Sequence, residues 1–202
     1  TWLTNLSNSL IDSGNESFLF SGNIPKDEIE DSNLLEINGI RIRSLQQSFS
    51  PFQALLAFLH IRRSIKKLNP DIVNTHTSVA GVIGRLACLS LLKKRPTIVH
   101  TVHGHLLTGY FESWKRAIVI GVERILASFS DLILFSGERV RSEFIKATKI
   151  SFWKTALVSP GVAMALKSPH KSKQTERFVV GWLGRFVPIK DPALAIKVAL
   201  HM

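Results

Sequence analysis

Residues 71–103 read DIVNTHTSVAGVIGRLACLSLLKKRPTIVHTVH, and this stretch decides the fold. It holds a short apolar run ending at His76, then apolar residues at helical spacing, then a second apolar run ending at His103. Two such runs joined by an amphipathic helix are typical of a strand–helix–strand unit, whose strands lie parallel. The stretch therefore predicts a parallel sheet with helices packed on its faces.

The same alternation continues toward the C-terminus. Apolar runs at 131–137 (DLILFSG) and 155–162 (TALVSPGV) alternate with amphipathic helical patterns at 112–130 and 138–147. Because strand–helix–strand connections are right-handed, these units extend one sheet. We predict a doubly wound, Rossmann-like α/β domain.

The first fifty residues add shorter elements to this prediction. Residues 2–11 are expected to form a helix whose apolar face holds Trp2, Leu3, Leu6, Leu10 and Ile11. SFLF at 17–20 is expected to form a buried strand. The stretch 34–45, LLEINGIRIRSL, leaves two alternatives, a hairpin about Asn38–Gly39 or one strand preceded by an edge segment. A helix is expected from Pro51 to Leu68.

The predicted domain organisation is a first domain over 1–163, a linker over 164–176 and the start of a second domain over 177–202. The linker, MALKSPHKSKQTE, loses the apolar periodicity and is rich in Lys, Ser and Pro. The second domain is expected to open with a strand and then a helix that Asp191 caps. Because the chain begins at Thr1 and stops within an apolar run, we interpret it as a fragment.

Composition and charge limit the classes of function. Hydrophobic residues make up 45% and charged residues 20%, as in a packed globular protein. The net charge is +11, and residues 51–202 hold 23 Lys or Arg against 8 Asp or Glu. Such an excess favours phosphorylated substrates or an anionic membrane surface. Nucleic acid is disfavoured because basic and aromatic residues do not alternate.

Cysteine content and the apolar runs bear on the compartment. Cys88 is the one cysteine of the chain, which excludes an internal disulfide, and its aliphatic neighbours indicate a buried structural thiol. Charged residues interrupt every long apolar run, so no membrane span is predicted. We expect a cytoplasmic protein that associates peripherally with the inner face of a membrane. The cations expected to face it are Arg62, Arg63, Lys66, Lys67, Lys93, Lys94, Lys115 and Arg116.

Polar or small residues follow each predicted strand. Ligands of open parallel sheets bind beyond the carboxyl ends of the strands, so these positions predict a ligand crevice along one edge. The positions are His76–Thr77, His103–Gly104–His105, Ser136–Gly137, Ser159–Pro160–Gly161 and Gly184–Arg185.

Residues 100, 103 and 105 are histidines, and strand alternation predicts which face of the sheet each strand residue occupies. His100 lies an odd number of residues from His103, so the two side chains are expected on opposite faces of the sheet. We predict a packed, hydrogen-bonded His100 and a catalytic or hydrogen-bonding His103 in the crevice. A metal site would need His76, His103 and His105 to converge without a carboxylate or thiolate, so no metal is predicted.

A second constellation, GRFVPIKDP at 184–192, combines a glycine with two cations ahead of a predicted helix. Arg185 and Lys190, together with the free N–H groups of a helix N-terminus, suit a diphosphate. We predict a diphosphate site at Gly184, Arg185 and Lys190.

Five motifs carry a resemblance to a known family. In order and spacing they resemble the retaining, nucleotide-sugar-dependent glycosyltransferases of family 4, from about Pro51 onward. The motifs are PDIVNTHTSVAGVIGRLA (70–87), TIVHTVHGHLLTGYF (97–111), ERILASFSDLILFSGERVRSEFI (123–145), LVSPGV (157–162) and VVGWLGRFVPIKD (179–191). The resemblance implies the GT-B architecture, in which the first of two Rossmann-like domains holds mainly the acceptor and the second holds the nucleotide-sugar.

The resemblance also implies roles for individual residues. Arg185 and Lys190 would bind the donor diphosphate without a metal or other cofactor, and His103 would contact the transferred sugar. His76, Thr77, Gly104 and Tyr110 would line the acceptor side of the cleft. Glu123 is interpreted as a structural carboxylate because it falls within a helix beside Arg124.

The implied reaction is sugar transfer, with retention, from a nucleoside diphosphate sugar to a glycan or lipid-linked acceptor in cell-surface polysaccharide or glycolipid synthesis. The family's first strand, its glycine-rich loop and the paired glutamates of its donor domain are missing from this sequence, so the chain alone is expected to be inactive. Two alternatives are a nucleotide-sugar epimerase of the same architecture and a non-enzymatic basic module that binds membrane or nucleic acid.

Overall fold

A computed structural model describes residues 2–23, 38–46, 50–104, 113–159, 181–184 and 191–201. The chain divides into two compact units, Thr1–Ala163 and Met164–Met202. Within the described ranges, no helix has the length and apolar character needed to cross a membrane.

The first unit alternates helices and strands as the sequence predicts. Its elements are α1 (Trp2–Asp12), β1 (Phe18–Ser21), β2 (Asn38–Arg41), α2 (Pro51–Leu68), β3 (Ile72–His76), α3 (Ser78–Leu89), β4 (Thr97–Val102), α4 (Ser113–Phe129), β5 (Leu132–Phe135), α5 (Glu138–Thr148) and β6 (Thr155–Leu157).

The strands form two parallel sheets. One sheet pairs β1 with β2, and the other has the order β3-β4-β5-β6. In the larger sheet, His76 lies opposite Thr101 and Val102 lies opposite Phe135, so the carboxyl ends of β3, β4 and β5 meet at one edge. The predicted α/β fold class with parallel strands is confirmed.

The pairing of β2 decides between the two alternatives for residues 34–45. Asn38 and Gly39 lie inside this strand and pair in parallel with Phe18 and Leu19 of β1. The hairpin about Asn38–Gly39 is therefore wrong, because a hairpin requires antiparallel neighbours joined at that turn. The Asn-Gly dipeptide favours a turn locally, but the pairing with β1 overrides that preference.

Helix α1 forms where it was predicted, and its most buried side chains are polar. Its buried residues are Thr4 and Ser7, whereas Leu10 and Ile11 are 42% and 39% exposed. The Ser7 hydroxyl lies 2.8 Å from that of Ser17, one residue ahead of β1. Small hydroxyl side chains thus make this contact, while Trp2, Leu3 and Leu6 of the predicted apolar face are half-buried.

Two apolar clusters form the core of the first unit. One joins the residue after β2, Ile42, to α2, α3 and β4, and it encloses Cys88. The other surrounds Phe135 and Phe144, whose ring centroids lie 5.3 Å apart. Burial raises the pKa of the Cys88 thiol to about 12, so the predicted structural role of this cysteine is confirmed.

A buried ion pair connects α3 to α4. Arg85 Nη2 donates to Glu123 Oε1 at 2.7 Å, and Arg85 Nε donates to the Gly81 carbonyl at 2.9 Å. Both side chains are almost fully buried. Glu123 therefore has the predicted structural role, but its partner is Arg85, since Arg124 donates instead to the carbonyl of Ala147.

His100 is the packed histidine that strand alternation predicted. It is fully buried between β4 and α3, and its Nδ1 lies 2.9 Å from the Thr75 hydroxyl. Burial, followed by the charge of Arg85, lowers the pKa of His100 well below its usual value. The ring is therefore neutral at pH 7.

The second unit contains α6 (Pro192–Leu200). The Leu194 N–H donates to Asp191 Oδ1 at 3.0 Å, which confirms the predicted cap. Residues 181–184 lie inside the strand predicted to open this unit, and they are not in a strand.

The close approach of α3 to His100 generates a prediction for Gly81. A Cβ at Gly81 would stand 2.6 Å from His100 Cε1, whereas a Cβ at Gly121 of α4 would meet nothing within 4 Å. A helical Gly→Ala change gains about 1 kcal/mol where space allows, and overpacking costs about 1–3 kcal/mol. We expect Gly121→Ala to stabilise the fold and Gly81→Ala to destabilise it in urea titrations. Equal midpoints for the two variants would contradict the packing.

Candidate active site

Two histidines meet at the carboxyl edge of the larger sheet. His76 is the last residue of β3, and His103 follows β4 directly. His76 Nδ1 lies 2.9 Å from His103 Nε2, and the two rings stack with centroids 5.1 Å apart at 24°. The structure therefore brings together two of the residues that the sequence placed at strand ends.

Trp2, the first residue of α1, encloses this pair from one side. Its ring meets His76 at 5.5 Å and His103 at 4.7 Å, edge to face in both cases. His103 thus faces α1, whereas His100 faces α3, as strand alternation predicted. Sequence reasoning placed Trp2 on the apolar face of α1 but missed its contact with the histidines, because no local pattern shows where this helix begins relative to the sheet.

Thr77 forms the turn between β3 and α3 with a strained backbone. Its φ is 62° and its ψ is 172°, which is unusual for a β-branched residue. Such conformations cost about 1–3 kcal/mol and cluster at ligand sites. This turn lies directly beside His76, which makes it a candidate part of the site.

The structure describes some of the remaining predicted site residues and leaves others outside the described ranges. Gly104 is partly buried, with open space where a Cβ would stand, and the Ser136 hydroxyl donates to the His103 carbonyl at 3.3 Å. Gly184 lies in the second unit, where a Cβ would stand 2.9 Å from the Trp182 ring. Tyr110, Arg185 and Lys190, as well as His105, lie outside the described residues.

The electrostatics of the pair favour neutral rings. Burial, with a second contribution from His103, lowers the pKa of His76 to about 4. Burial also lowers the pKa of His103. Both imidazoles are therefore neutral at pH 7, and one ring donates its N–H to the other.

The hydrogen bond between the two rings can run in either direction, and each direction fixes a different neutral tautomer of His103. If His76 Nδ1–H donates to His103 Nε2, the proton of His103 sits on Nδ1 and can be donated to a ligand. If His103 Nε2–H donates to His76, His103 Nδ1 accepts a hydrogen bond instead. The pair can thus hydrogen-bond either a sugar hydroxyl or a carbonyl oxygen without carrying charge.

The paired ring nitrogens are the atoms that would ligate a metal. Across the part of the chain that the structure describes, no group of three or more His, Cys, Asp or Glu side chains could hold a metal ion. That the reaction needs no metal stays a prediction.

The lowered pKa of His76 predicts how stability depends on pH. An unfolded histidine titrates near pH 6.5, so between about pH 6.5 and pH 4 the unfolded chain binds the extra proton. Stability should be fully present above this window and decline as the pH falls through it. We expect His76→Phe to reduce the decline in chemical denaturation between pH 7 and pH 4.

His60 supplies the control, because it is a histidine exposed on α2, away from the aromatic pair. His60→Asn should leave the slope of stability against pH as in the parent protein. A slope that His76→Phe does not change, or that His60→Asn changes equally, would contradict burial as the cause.

The fold and this edge define a Rossmann-like α/β protein with a candidate ligand site beyond its parallel strands. The sequence profile described as Glycosyltransferase Family 4 matches residues 1–166. The chain therefore belongs to glycosyltransferase family 4.

Individual proteins show the same relationship. The chain is 27% identical over 191 residues to a UDP-Gal:alpha-D-GlcNAc-diphosphoundecaprenol alpha-1,3-galactosyltransferase of Escherichia coli, covering 87% of this chain and 46% of that protein. It is 34% identical over 79 residues to an uncharacterized 41.2 kDa protein in the cps region of Klebsiella pneumoniae, covering 38% and 22%. The chain thus spans less than half the length of either curated relative.

Solved structures support the fold. A glycosyltransferase from Rickettsia africae ESF-5 superposes with a TM-score of 0.58 at 18% identity, over 80% of this chain and 38% of that one. A sucrose-phosphate synthase from Thermosynechococcus elongatus superposes with a TM-score of 0.55 at 14% identity, over 80% and 85%. These similarities confirm the fold class predicted from the sequence.

Proposed function

We propose that this chain is the acceptor-side part of a glycosyltransferase that moves a sugar from a nucleoside diphosphate sugar to a glycan or lipid-linked acceptor, with retention. The observation that carries the proposal is the neutral His76–His103 pair at the sheet edge of a family 4 chain. The name of the Escherichia coli relative supports a lipid-linked diphosphate acceptor. A role in cell-surface polysaccharide or glycolipid synthesis is part of the same proposal.

In this proposal, the pair orients the reacting sugar. A neutral His103 hydrogen-bonds the transferred sugar near its reacting carbon, while His76 fixes the tautomer and Trp2 fixes the tilt of both rings. His76, Thr77, Gly104 and Tyr110 line the acceptor side. Holding the acceptor hydroxyl in line with the breaking bond is the contribution expected of this domain.

The departing nucleoside diphosphate is the second part of the proposal. Arg185 and Lys190, next to Gly184, stabilise its developing negative charge as the bond to the sugar breaks. Two cations and a helix N-terminus can supply this stabilisation without a metal ion. The donor is thus a substrate, and no cofactor is proposed.

Replacing His103 and His100 in the full-length protein should separate catalysis from packing. His103→Ala should lower kcat at least tenfold with little effect on unfolding, because the side chain stands at the strand end and is largely exposed. His100→Ala should cost about 1–3 kcal/mol of stability with a milder effect on kcat, because it leaves the buried Thr75 hydroxyl without this partner. Steady-state assays and urea titrations measure both quantities.

The opposite pattern would refute the assignment. A His103→Ala enzyme with parental kcat, or one that loses as much stability as His100→Ala, would make His103 a structural residue. Stoichiometric zinc in the purified enzyme, with activity lost on chelation, would mean that His103 ligates a metal and does not act by hydrogen bonding to the sugar.

The diphosphate site has its own test. Arg185→Ala and Lys190→Ala should each weaken binding of a free nucleoside diphosphate to the full-length protein by about 1.5–3 kcal/mol, the range for hydrogen bonds to charged groups. Acceptor binding should hardly change. Isothermal titration calorimetry measures both affinities.

Lys197 of α6 provides a control with the same loss of charge. Lys197→Ala should bind the nucleotide as the parent does. If all three variants bind equally well, the two cations are ordinary surface charges and the donor site lies elsewhere.

Two further parts of the proposal concern the class and the location of the protein. Transfer of labelled sugar to an acceptor supports the transferase, whereas a sugar epimerised while still attached to the nucleotide would identify an epimerase. The absence of both products would favour a binding module.

We place the protein in the cytoplasm, peripheral to the inner face of the membrane. The excess of cations and the single buried thiol support this location.

A further inference from the structure

Helix α4 carries an apolar stripe on the side that faces away from the core. Its opposite side holds the buried residues Glu123, Leu126 and Ala127. Along the stripe, large apolar side chains of this helix are between 36% and 62% exposed. The stripe consists of Trp114, Ile118, Gly121, Val122, Ile125 and Phe129. At 3.6 residues per turn, these positions fall within about 100° of the helix circumference, and a contiguous exposed surface of this kind marks an interaction site.

The charges near the stripe lie at its margins. The six positions that form it include no charged residue. Lys115 Nζ lies 5.3 Å from the centroid of the Trp114 ring, and Arg124 Nη2 donates to the Ala147 carbonyl at 2.9 Å. An anionic ligand would therefore find no charge partner within the stripe, whereas an apolar protein surface would bury no charge by covering it.

The order of residues along the stripe is nearly the same when it is read in either direction. Its midpoint lies between Gly121 and Val122. Ile118 stands three residues before Gly121, and Ile125 stands three residues after Val122. Trp114 and Phe129, both aromatic, stand seven residues outside the same two positions. Such a surface is self-complementary, because in a two-fold dimer residue i of one copy contacts residue j of the other, and j contacts i.

Gly121 leaves room for a second helix at this midpoint. A Cβ at Gly121 would meet nothing within 4 Å, so the surface of α4 is open there. Packed helices lie about 8–10 Å apart, and the side chains at the crossing point set the distance. With glycine at the crossing, Val122 of a second copy can fill the open space.

The area of the stripe is sufficient for a specific interface. Fully burying a Trp or Phe removes about 150–250 Å² from water, so covering the exposed parts of the stripe would bury roughly 500 Å² on each copy. Two copies together would bury roughly 1,000 Å², which is about the lower bound for a specific protein–protein interface.

We propose that the stripe of α4 binds the same stripe of a second copy of this chain. The two helices run antiparallel about a two-fold axis beside Gly121 and Val122. Ile118 of each copy packs against Ile125 of the other, and Trp114 packs against Phe129. The stripe shares no residue with the His76–His103 pair, so the dimer and the transfer reaction can fail separately.

Charged substitutions in the full-length protein test the contact and its direction. Ile118→Lys places a cation against Ile125 of the second copy and should raise the dissociation constant of the dimer at least tenfold, measured by sedimentation equilibrium. Adding Ile125→Glu to this variant places a carboxylate opposite each introduced ammonium and should restore the dimer. Residues seven apart lie about 10 Å apart along one helix, so this ion pair cannot form within one copy.

A cysteine close to the two-fold axis tests the same register. The Val122 positions of the two copies lie side by side, so Val122→Cys should form an intermolecular disulfide on mild oxidation. Phe129→Cys is the control, because antiparallel helices hold the two Phe129 positions about 20 Å apart. It should crosslink no more than the parent protein does.

Leu55→Lys controls for the general effect of adding a charge to an exposed apolar helix face. Leu55 lies on α2, outside the stripe, and is 54% exposed, close to the 57% of Ile118. This variant should keep the parental dissociation constant. Because Leu55, Ile118 and Ile125 are all exposed, the thermal unfolding midpoint should also stay parental.

Four outcomes overturn the proposal. A full-length protein that stays monomeric at micromolar concentration does so, and loss of vesicle binding in Ile118→Lys would then assign the stripe to a membrane. A dimer that Ile118→Lys leaves intact has its interface elsewhere. Equal weakening by Leu55→Lys would mean general charge repulsion. Equal crosslinking of Val122→Cys and Phe129→Cys, with no rescue by Ile125→Glu, would mean that the helices do not run antiparallel.

Discussion

The close approach of α3 to the sheet is the constraint on which the rest of the first unit depends. Gly81 lies against the His100 ring, and a Cβ at Gly84 would stand 2.8 Å from the Thr75 methyl group. Because no side chain separates the helix from the strands there, His100 is sealed on the α3 side. Strand alternation then directs His103 to the other face, where α1 begins with Trp2. One helix–sheet contact thus separates a structural histidine from a candidate catalytic one.

The neutral state of the histidine pair follows from the same packing. Burial lowers the pKa of both rings, and the neighbouring His103 lowers the pKa of His76 further, so both rings remain uncharged at pH 7. Positive charge is carried instead by Arg and Lys side chains that lie away from this pair. Arg43, Arg63 and Lys67 are exposed along a groove between α2 and the residues that follow β2. The neutral ring pair and the exposed cations thus occupy different parts of the first unit.

Much of this organisation could be predicted from local sequence. The strand–helix order of 71–103, the helix at 51–68 and the opposite facing of His100 and His103 follow from periodicity, and the Asp191 cap follows from the Asp-Pro dipeptide; all are observed. The pairing of β2 with β1, the buried face of α1 and the place of Trp2 depend on contacts distant in sequence. The contact between His76 and His103 requires the parallel register as well, since a shift of one residue would turn the rings apart.

The buried thiol of Cys88 has a practical consequence. It is the single cysteine of these 202 residues, and burial with a pKa raised to about 12 leaves almost no thiolate at neutral pH. Maleimide reagents need an accessible thiolate, so they should ignore Cys88 in the folded chain. A cysteine introduced at an exposed position of α2 could then carry a fluorophore or spin label in the natural background. In these 202 residues, no native thiol would then compete with the introduced cysteine for the label.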